Sequence, residues 1–305
     1  MRIFLLPLTT RQALIYCQRA EQKTTGKASI ADRITRKAAQ IWSDWEAADK
    51  GWKKQLVKYG NQGLQRIPYQ EWGLKSFPPS NPKLQAEEIA AGKKYDVLYP
   101  GNIMRKDDVP KVMGRLARER KQLHWNRFIG SMVAMPFTIP FALVPVIPNI
   151  PFFYAAYRCW SHWRALKGSD HLDFILDNRL YKLTSSPEIE ELYEQVAPDA
   201  PDFTFVTRLQ VLDGSAPPEQ ILLPSGSHGL VAKVTGVPEL SNEVERALWQ
   251  IHREFEREKA KLAQAEPGKD SNSLNEKAAD AKILETRISE KDNTKPKESD
   301  RGGAA

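Results

Sequence analysis

From Phe128 to Tyr157 there is no charged side chain, in a chain whose charged residues make up 27% of the total. Acidic residues are also missing from the first twenty positions, and aromatic residues are missing after Phe255. Cysteine is scarce: Cys17 and Cys159 stand far apart, with no CxxC or histidine spacing, which excludes a disulfide scaffold and a zinc finger. No GxSxG, HExxH, Walker loop or dinucleotide fingerprint occurs, and His228 in PSGSHG has no paired nucleophile or acid nearby in sequence. Neither enzymatic activity nor a cofactor is therefore expected. Lys and Arg exceed Asp and Glu by 45 to 38, but no nucleic-acid motif accompanies the excess, so nucleic acid is not an expected partner.

The uncharged stretch is interrupted by Pro136, Pro140, Pro145, Pro148 and Pro151. As one straight helix it would reach about 45 Å, well beyond a hydrocarbon core of about 30 Å. Proline removes a backbone donor and clashes with the preceding turn, so the stretch reads as a helical hairpin bent at Pro145, Pro148, Asn149 and Pro151. Basic residues flank both arms: Lys111, Arg115, Arg118, Arg120, Lys121 and Arg127 before it, Arg158, Arg164 and Lys167 after it. By the positive-inside bias both ends stay on one side of a membrane. Trp125, Arg127, Tyr154, Tyr157, Arg158, Trp160 and Trp163 are candidate interfacial anchors, and anionic lipid headgroups are the expected partner of the cations. The competing reading is a buried helical hairpin of a soluble domain. Backbone opened by the prolines needs protein or water to bond to, which points to another membrane protein or to self-association.

Elsewhere the pattern is mainly α with a few short β-strands. Residues 1–28 read either as a first strand ended by Pro7 or as a mitochondrial targeting segment rich in Arg and hydroxyls. Residues 29–110 hold an amphipathic helix (Ile30, Ile34, Ala38, Ile41, Trp45, Trp52, Leu56), a turn-rich run through RIPYQEWGLKSFPPSNP, and a short strand at YDVLY. Asp107 and Asp108 before Pro110 start the first arm of the hairpin, which occupies 111–168, and Gly168 marks its end. Residues 169–264 are a polar α+β region, with a helix opened by Ser186 and Pro187, alternation from Phe203 to Val211, and a last helix along Leu240, Val244, Leu248, Ile251 and Phe255. Residues 265–305 lack the apolar content to order themselves.

The stretch MPFTIPFALVPVIPNIPFFYAAYRCWSHWRALKGSDHL, the opening MRIFLLPLT and the VLYPG of Val97 to Gly101 resemble the fungal family described as mitochondrial potassium-proton exchange-related proteins. The resemblance implies an inner-membrane location, with the bulk of the chain facing the matrix, and a part in the exchange that sets matrix volume. It implies no catalytic residues.

Cation-for-proton exchange needs an ionisable group within the membrane, and Phe128 to Tyr157 offers only Ser131, Thr138, Asn149, Tyr154 and Tyr157 as polar groups. An accessory or oligomeric component therefore fits better than a complete exchanger. The alternative is a lipid-binding or structural assembly protein that affects exchange indirectly. His124 and His162, near the membrane edge of either arm, are candidate pH sensors, against the plainer reading of histidines among interfacial residues. If they sense protons, replacing both with Gln should change the pH dependence of potassium efflux; an unchanged profile rejects the sensor.

Overall fold

The computed structural model describes residues 1–19, 65–79, 81–140, 150–199, 201–207, 210–211 and 213–265, with residues 40, 57 and 63 standing singly. The amphipathic segment at 29–56, the bend at Pro145, Pro148 and Asn149, and the tail beyond 265 lie outside them. The chain is mainly α around a small sheet, and it divides into Met1–Gln250 and Ile251–Ala305.

Four strands, β1 (Arg2–Pro7), β2 (Ala13–Gln18), β3 (Tyr95–Tyr99) and β4 (Tyr181–Ser185), form one sheet in the order β2-β1-β3-β4. β1 pairs antiparallel with β2 and parallel with β3, which pairs parallel with β4. The opening FLLPL is thus the strand of the two readings, and its unbroken apolar run has a physical cause. A strand with neighbours on both edges and cover on both faces has no side to show to water, and Ile3, Phe4, Leu5 and Leu6 are all buried. The β1–β2 turn closes through Thr9, whose hydroxyl accepts from the backbone of Arg11 and Gln12. It is strapped by Leu222, whose N–H donates to the Leu8 carbonyl at 2.9 Å.

Among the described residues three helices precede the hairpin: α1 (Tyr69–Ser76), α2 (Pro82–Ala90) and α3 (Val109–Arg118). α1 lies in the run that reads as turns. Its small Gly73 lets the Ile15 carbonyl of β2 come close enough that a Cβ would sit 2.4 Å from the oxygen. The hairpin follows as α4 (Lys121–Thr138) and α5 (Ile150–Asp177). α3 and α4 are separate helices, broken at Glu119 and Arg120, where a single arm is expected. The two arms are antiparallel: Lys121 meets Asp170 and Asp173, and His124 meets His162. Of the eighteen residues of α4, only His124 is buried. The arm therefore projects from the body, and its far half carries Pro136 inside the helix.

Gly168 does not stop a helix; α5 runs through it to Asp177. Its function is contact, because a Cβ there would sit 1.9 Å from the Leu74 carbonyl of α1. After β4 come α6 (Pro187–Val196), α7 (His228–Thr235) and α8 (Pro238–Ala265), the last burying Leu240, Val244 and Leu248. Phe203 to Thr207 is not a strand. Phe203 N–H bonds to Ile103 O and Thr204 N–H to Thr10 O, and Arg115 clamps the segment by donating to Val206 O at 3.0 Å and Arg11 O at 2.7 Å.

Gly168→Ala should push α5 off α1 and cost about 1–3 kcal/mol, since the obstructing atom is backbone and cannot rotate away. Thermal unfolding of the purified variant measures it. The same substitution at Gly130, with nothing within 4 Å of a Cβ, should leave stability unchanged or slightly raised.

Candidate functional site

Glu71 and Lys75 are four residues apart on α1, and both are buried, Glu71 completely. They face α5, where Arg158, Ser161 and His162 fall at the i, i+3, i+4 spacing that puts three side chains on one helical face. Arg158 grips the Glu71 carboxylate with two parallel bonds, 3.1 Å to Oε1 and 3.2 Å to Oε2. Ser161 donates to Oε1 at 2.5 Å, and Lys75 donates to the Ser161 hydroxyl at 3.0 Å. His124 of α4 completes the group, with its Nδ1 3.2 Å from Nδ1 of His162.

The proton positions follow from the donors. Arg158 has only N–H groups to offer, and one lies 2.9 Å from His162 Nε2, so that nitrogen must accept. The proton of neutral His162 is then on Nδ1 and is donated to His124 Nδ1. His124 in turn carries its proton on Nε2, a buried nitrogen without a partner among the described residues. Protonating either ring breaks a bond: at His162 it faces Arg158, at His124 it faces another N–H.

Electrostatics agree. Burial pulls His124 and His162 down to about 4, against the attraction of Glu71, and both are neutral near neutral pH in this arrangement. Burial works to raise Glu71, but the Ser161 bond and the charges of Arg158 and Lys75 outweigh it and hold the carboxyl below its usual range. Lys75 is lowered to about 8, chiefly by burial, against the pull of Glu71 and Glu243. Its ammonium sits 3.3 Å over the Trp72 ring, and Arg246 lies 4.4 Å from that same ring.

Glu71, His124 and His162 bring three ligand atoms within 4.8 Å of one another, a spacing that suits one divalent ion. The donor set does not fit. Arg158 occupies both carboxylate oxygens and fixes the proton of His162 on Nδ1, where an ion would have to bind. An ion could enter only by displacing the guanidinium, so the group stands as a hydrogen-bonded network in which His124 Nε2 alone of its members lacks a partner among the described residues.

Of the expected interfacial residues, Trp125, Arg127, Tyr154, Trp160 and Trp163 are exposed and Tyr157 is half-buried. Arg158 turns inward to Glu71. Pro151 stands in the first turn of α5, where its missing donor costs nothing; Pro145, Pro148 and Asn149 are outside the described residues. Several flanking cations are also used internally. Arg164 donates to Lys75 O and Phe77 O, Arg115 holds the Phe203 to Thr207 segment, and Arg118 pairs with Asp173 and Asp177. Glu71 and Lys75 escape a reading of the sequence because RIPYQEWGLKSFPPSNP looks like turns; the available signal was their i, i+4 pairing. A second buried contact sets Glu88 of α2 beside His171 of α5, Oε2 to Nε2 3.6 Å.

Residues 2–176, which carry β1, the described hairpin but for the last residue of α5, and all members of the buried cluster, match the family described as mitochondrial K+-H+ exchange-related. The chain belongs to that family. The description ties this family to the mitochondrion and to K+-H+ exchange. An uncharacterized protein of Schizosaccharomyces pombe is 31% identical over 196 residues, covering 63% of this chain and 82% of its own length. An uncharacterized protein of Saccharomyces cerevisiae is 25% identical over 202 residues, covering 58% of this chain and 63% of its own. No solved structure matches.

Glu71→Gln should cost about 3–5 kcal/mol in a denaturant titration, because it leaves the Arg158 guanidinium buried without its counter-charge. Acid should weaken the native state in a defined window. Both histidines have a folded pKa of about 4 against 6.5 unfolded, so between these values the unfolded chain binds more protons and stability falls as pH falls. A stability profile flat from pH 6.5 to 4 would contradict the arrangement. Above neutrality the sign for Lys75 is the same: its lowered folded pKa makes stability rise with pH from about 8 toward 10.5.

Proposed function

We propose that this protein is an inner-membrane component of mitochondrial K+-H+ exchange and matrix volume control, acting as an accessory or oligomeric part. The observation that carries the reading is a projecting hairpin, apolar on its surface, with a buried carboxylate held at its foot. Phe137 is 74% exposed and Phe153 62%, and Ile129, Met132, Val133, Ile139 and Tyr154 are also exposed. A water-facing surface of this kind is unfavourable, since burying each large apolar side chain is worth about 1.5–3 kcal/mol.

Among the described residues no helix is long and apolar enough to cross a membrane. From Phe128 to Pro140 the first arm reaches about 20 Å, more than one leaflet of about 15 Å and less than the full core. Insertion from one side and return is the geometry this supports, with the sheet and its helices in the matrix. Glu71, Lys75 and the histidine pair then lie below the tip, where an ionisable group is placed next to the membrane without standing in lipid. A single hairpin lacks the paired repeats of many transporters, which favours action with partners or further copies.

The second reading, a lipid-bound assembly protein without its own place in ion flux, is favoured by the exposed indoles of Trp125, Trp160 and Trp163 around the hairpin. Carbonate extraction and protease access to a C-terminal tag, in intact mitochondria and in mitoplasts, test the location. Resistance to carbonate with a tag shielded in both is expected; release by carbonate rejects membrane insertion. Potassium-dependent proton flux in defined vesicles then separates the readings. A flux change with wild-type protein, lost on Glu71→Gln, supports the exchange component; vesicle binding without any flux change supports the assembly protein.

A further inference from the structure

An open cleft of about 590 Å³ runs between α4 and α5 on the outside of the hairpin, apart from the buried cluster. α4 contributes Lys121, Trp125 and Phe128, a single helical face at i, i+4, i+7; α5 contributes Trp163, Lys167 and Asp170 at the same spacing. Because the arms are antiparallel, the residues sort by height. Phe128, Trp125 and Trp163 lie toward the apolar tip, and Lys121, Lys167 and Asp170 toward the body.

Charge sorts with them. Lys121 is 2.8 Å from one Asp170 oxygen and Lys167 3.7 Å from the other, so two ammonium groups share one carboxylate. All three side chains are about two-fifths exposed, 42% for each lysine and 43% for the aspartate. Lys121 also reaches Asp173 at 3.3 Å, which Arg118 holds at 2.7 Å. Exposed pairs of this kind contribute little, so an incoming oxyanion can compete for the lysines.

We propose that this cleft binds one phospholipid molecule, its phosphate between Lys121 and Lys167 and its acyl chain rising along Trp125, Trp163 and Phe128 toward the tip. The polarity gradient of the cleft matches that of the lipid: cations at the foot, where a headgroup lies, and rings above, where glycerol and the first methylenes begin. The lining has two cations to one anion, which favours a phosphate over a neutral headgroup. The volume is within the range of small-molecule sites. This rests on the membrane reading above but adds a stoichiometric site to it.

The test uses the full chain and a soluble, short-chain phospholipid, dihexanoyl phosphatidylglycerol below its micelle concentration, so that no bilayer is present. Binding is followed by tryptophan fluorescence, with the Trp125→Phe, Trp163→Phe double variant assigning the signal to the cleft. Saturable binding near one lipid per chain is expected, weakened about tenfold to a hundredfold in Lys121→Gln, Lys167→Gln, as loss of charge-assisted hydrogen bonds implies. The alkyl glycoside of matched chain length, lacking phosphate, should not saturate. Both lysines are on the surface, so the variant should retain the unfolding midpoint of the wild type. Flotation with phosphatidylcholine vesicles runs beside it: failure of the wild type to float rejects membrane insertion itself. Flotation without saturable short-chain binding, or equal binding by the lysine variant, overturns the lipid site alone. A signal that follows protein concentration instead of lipid assigns the cleft to self-association and also overturns it.

Discussion

The foot of the hairpin depends on one ion pair, Glu71 with Arg158. A fully buried carboxylate is tolerated only if its charge is met and its lone pairs are filled, and the two Arg158 bonds with that of Ser161 do both. The pair joins α1, which rests on the sheet, to α5, which belongs to the hairpin. It also sets the tautomer of His162 and, through it, that of His124. The same guanidinium thus ties together three helices and decides which nitrogens carry protons. Substituting hydrophobic residues for both partners could leave the fold intact, but it would remove the ordering of protons along the histidines.

Close backbone packing makes that pair geometrically attainable. α1 is held between Ile15 at Gly73 and Leu74 at Gly168, two places where no Cβ fits. Distances of this kind bring a short carboxylate side chain within reach of α5. Without them Glu71 would be separated from Arg158 by the width of ordinary side-chain packing, and a buried charge would be left without a counter-charge.

Much of the outline was legible in the sequence because it rests on local signals. The proline-broken uncharged run foretold two arms, YDVLY foretold β3, and Ser186 with Pro187 foretold α6. The signals that misled were those with two physical meanings. Gly168 reads as a helix end, yet in α5 it serves close approach. The alternation from Phe203 to Val211 reads as a strand, yet its bonds go singly to Ile103 O, Thr10 O and the Arg115 guanidinium instead of to a neighbouring strand. Counting basic flanks treats Arg115, Arg158 and Arg164 as free surface charge, whereas tertiary contacts draw all three inward. The pairing of Glu71 with Arg158 was beyond reach for a similar reason: the two are 87 residues apart, and no local pattern marks a pair that exists only after the helices have met.

The connection from β3 to β4 contains the whole hairpin. These neighbouring parallel strands are in register from Tyr95 opposite Tyr181 to Tyr99 opposite Ser185, so the last edge of the sheet cannot be laid down until the chain has gone out along α4 and returned along α5. A crossover of this length closes late, because its loop entropy must be met before the pairing can reward it. The order of events is therefore built into the topology. During synthesis the apolar tip emerges while the sheet still lacks β4, and completion of the body reports that the hairpin has come back.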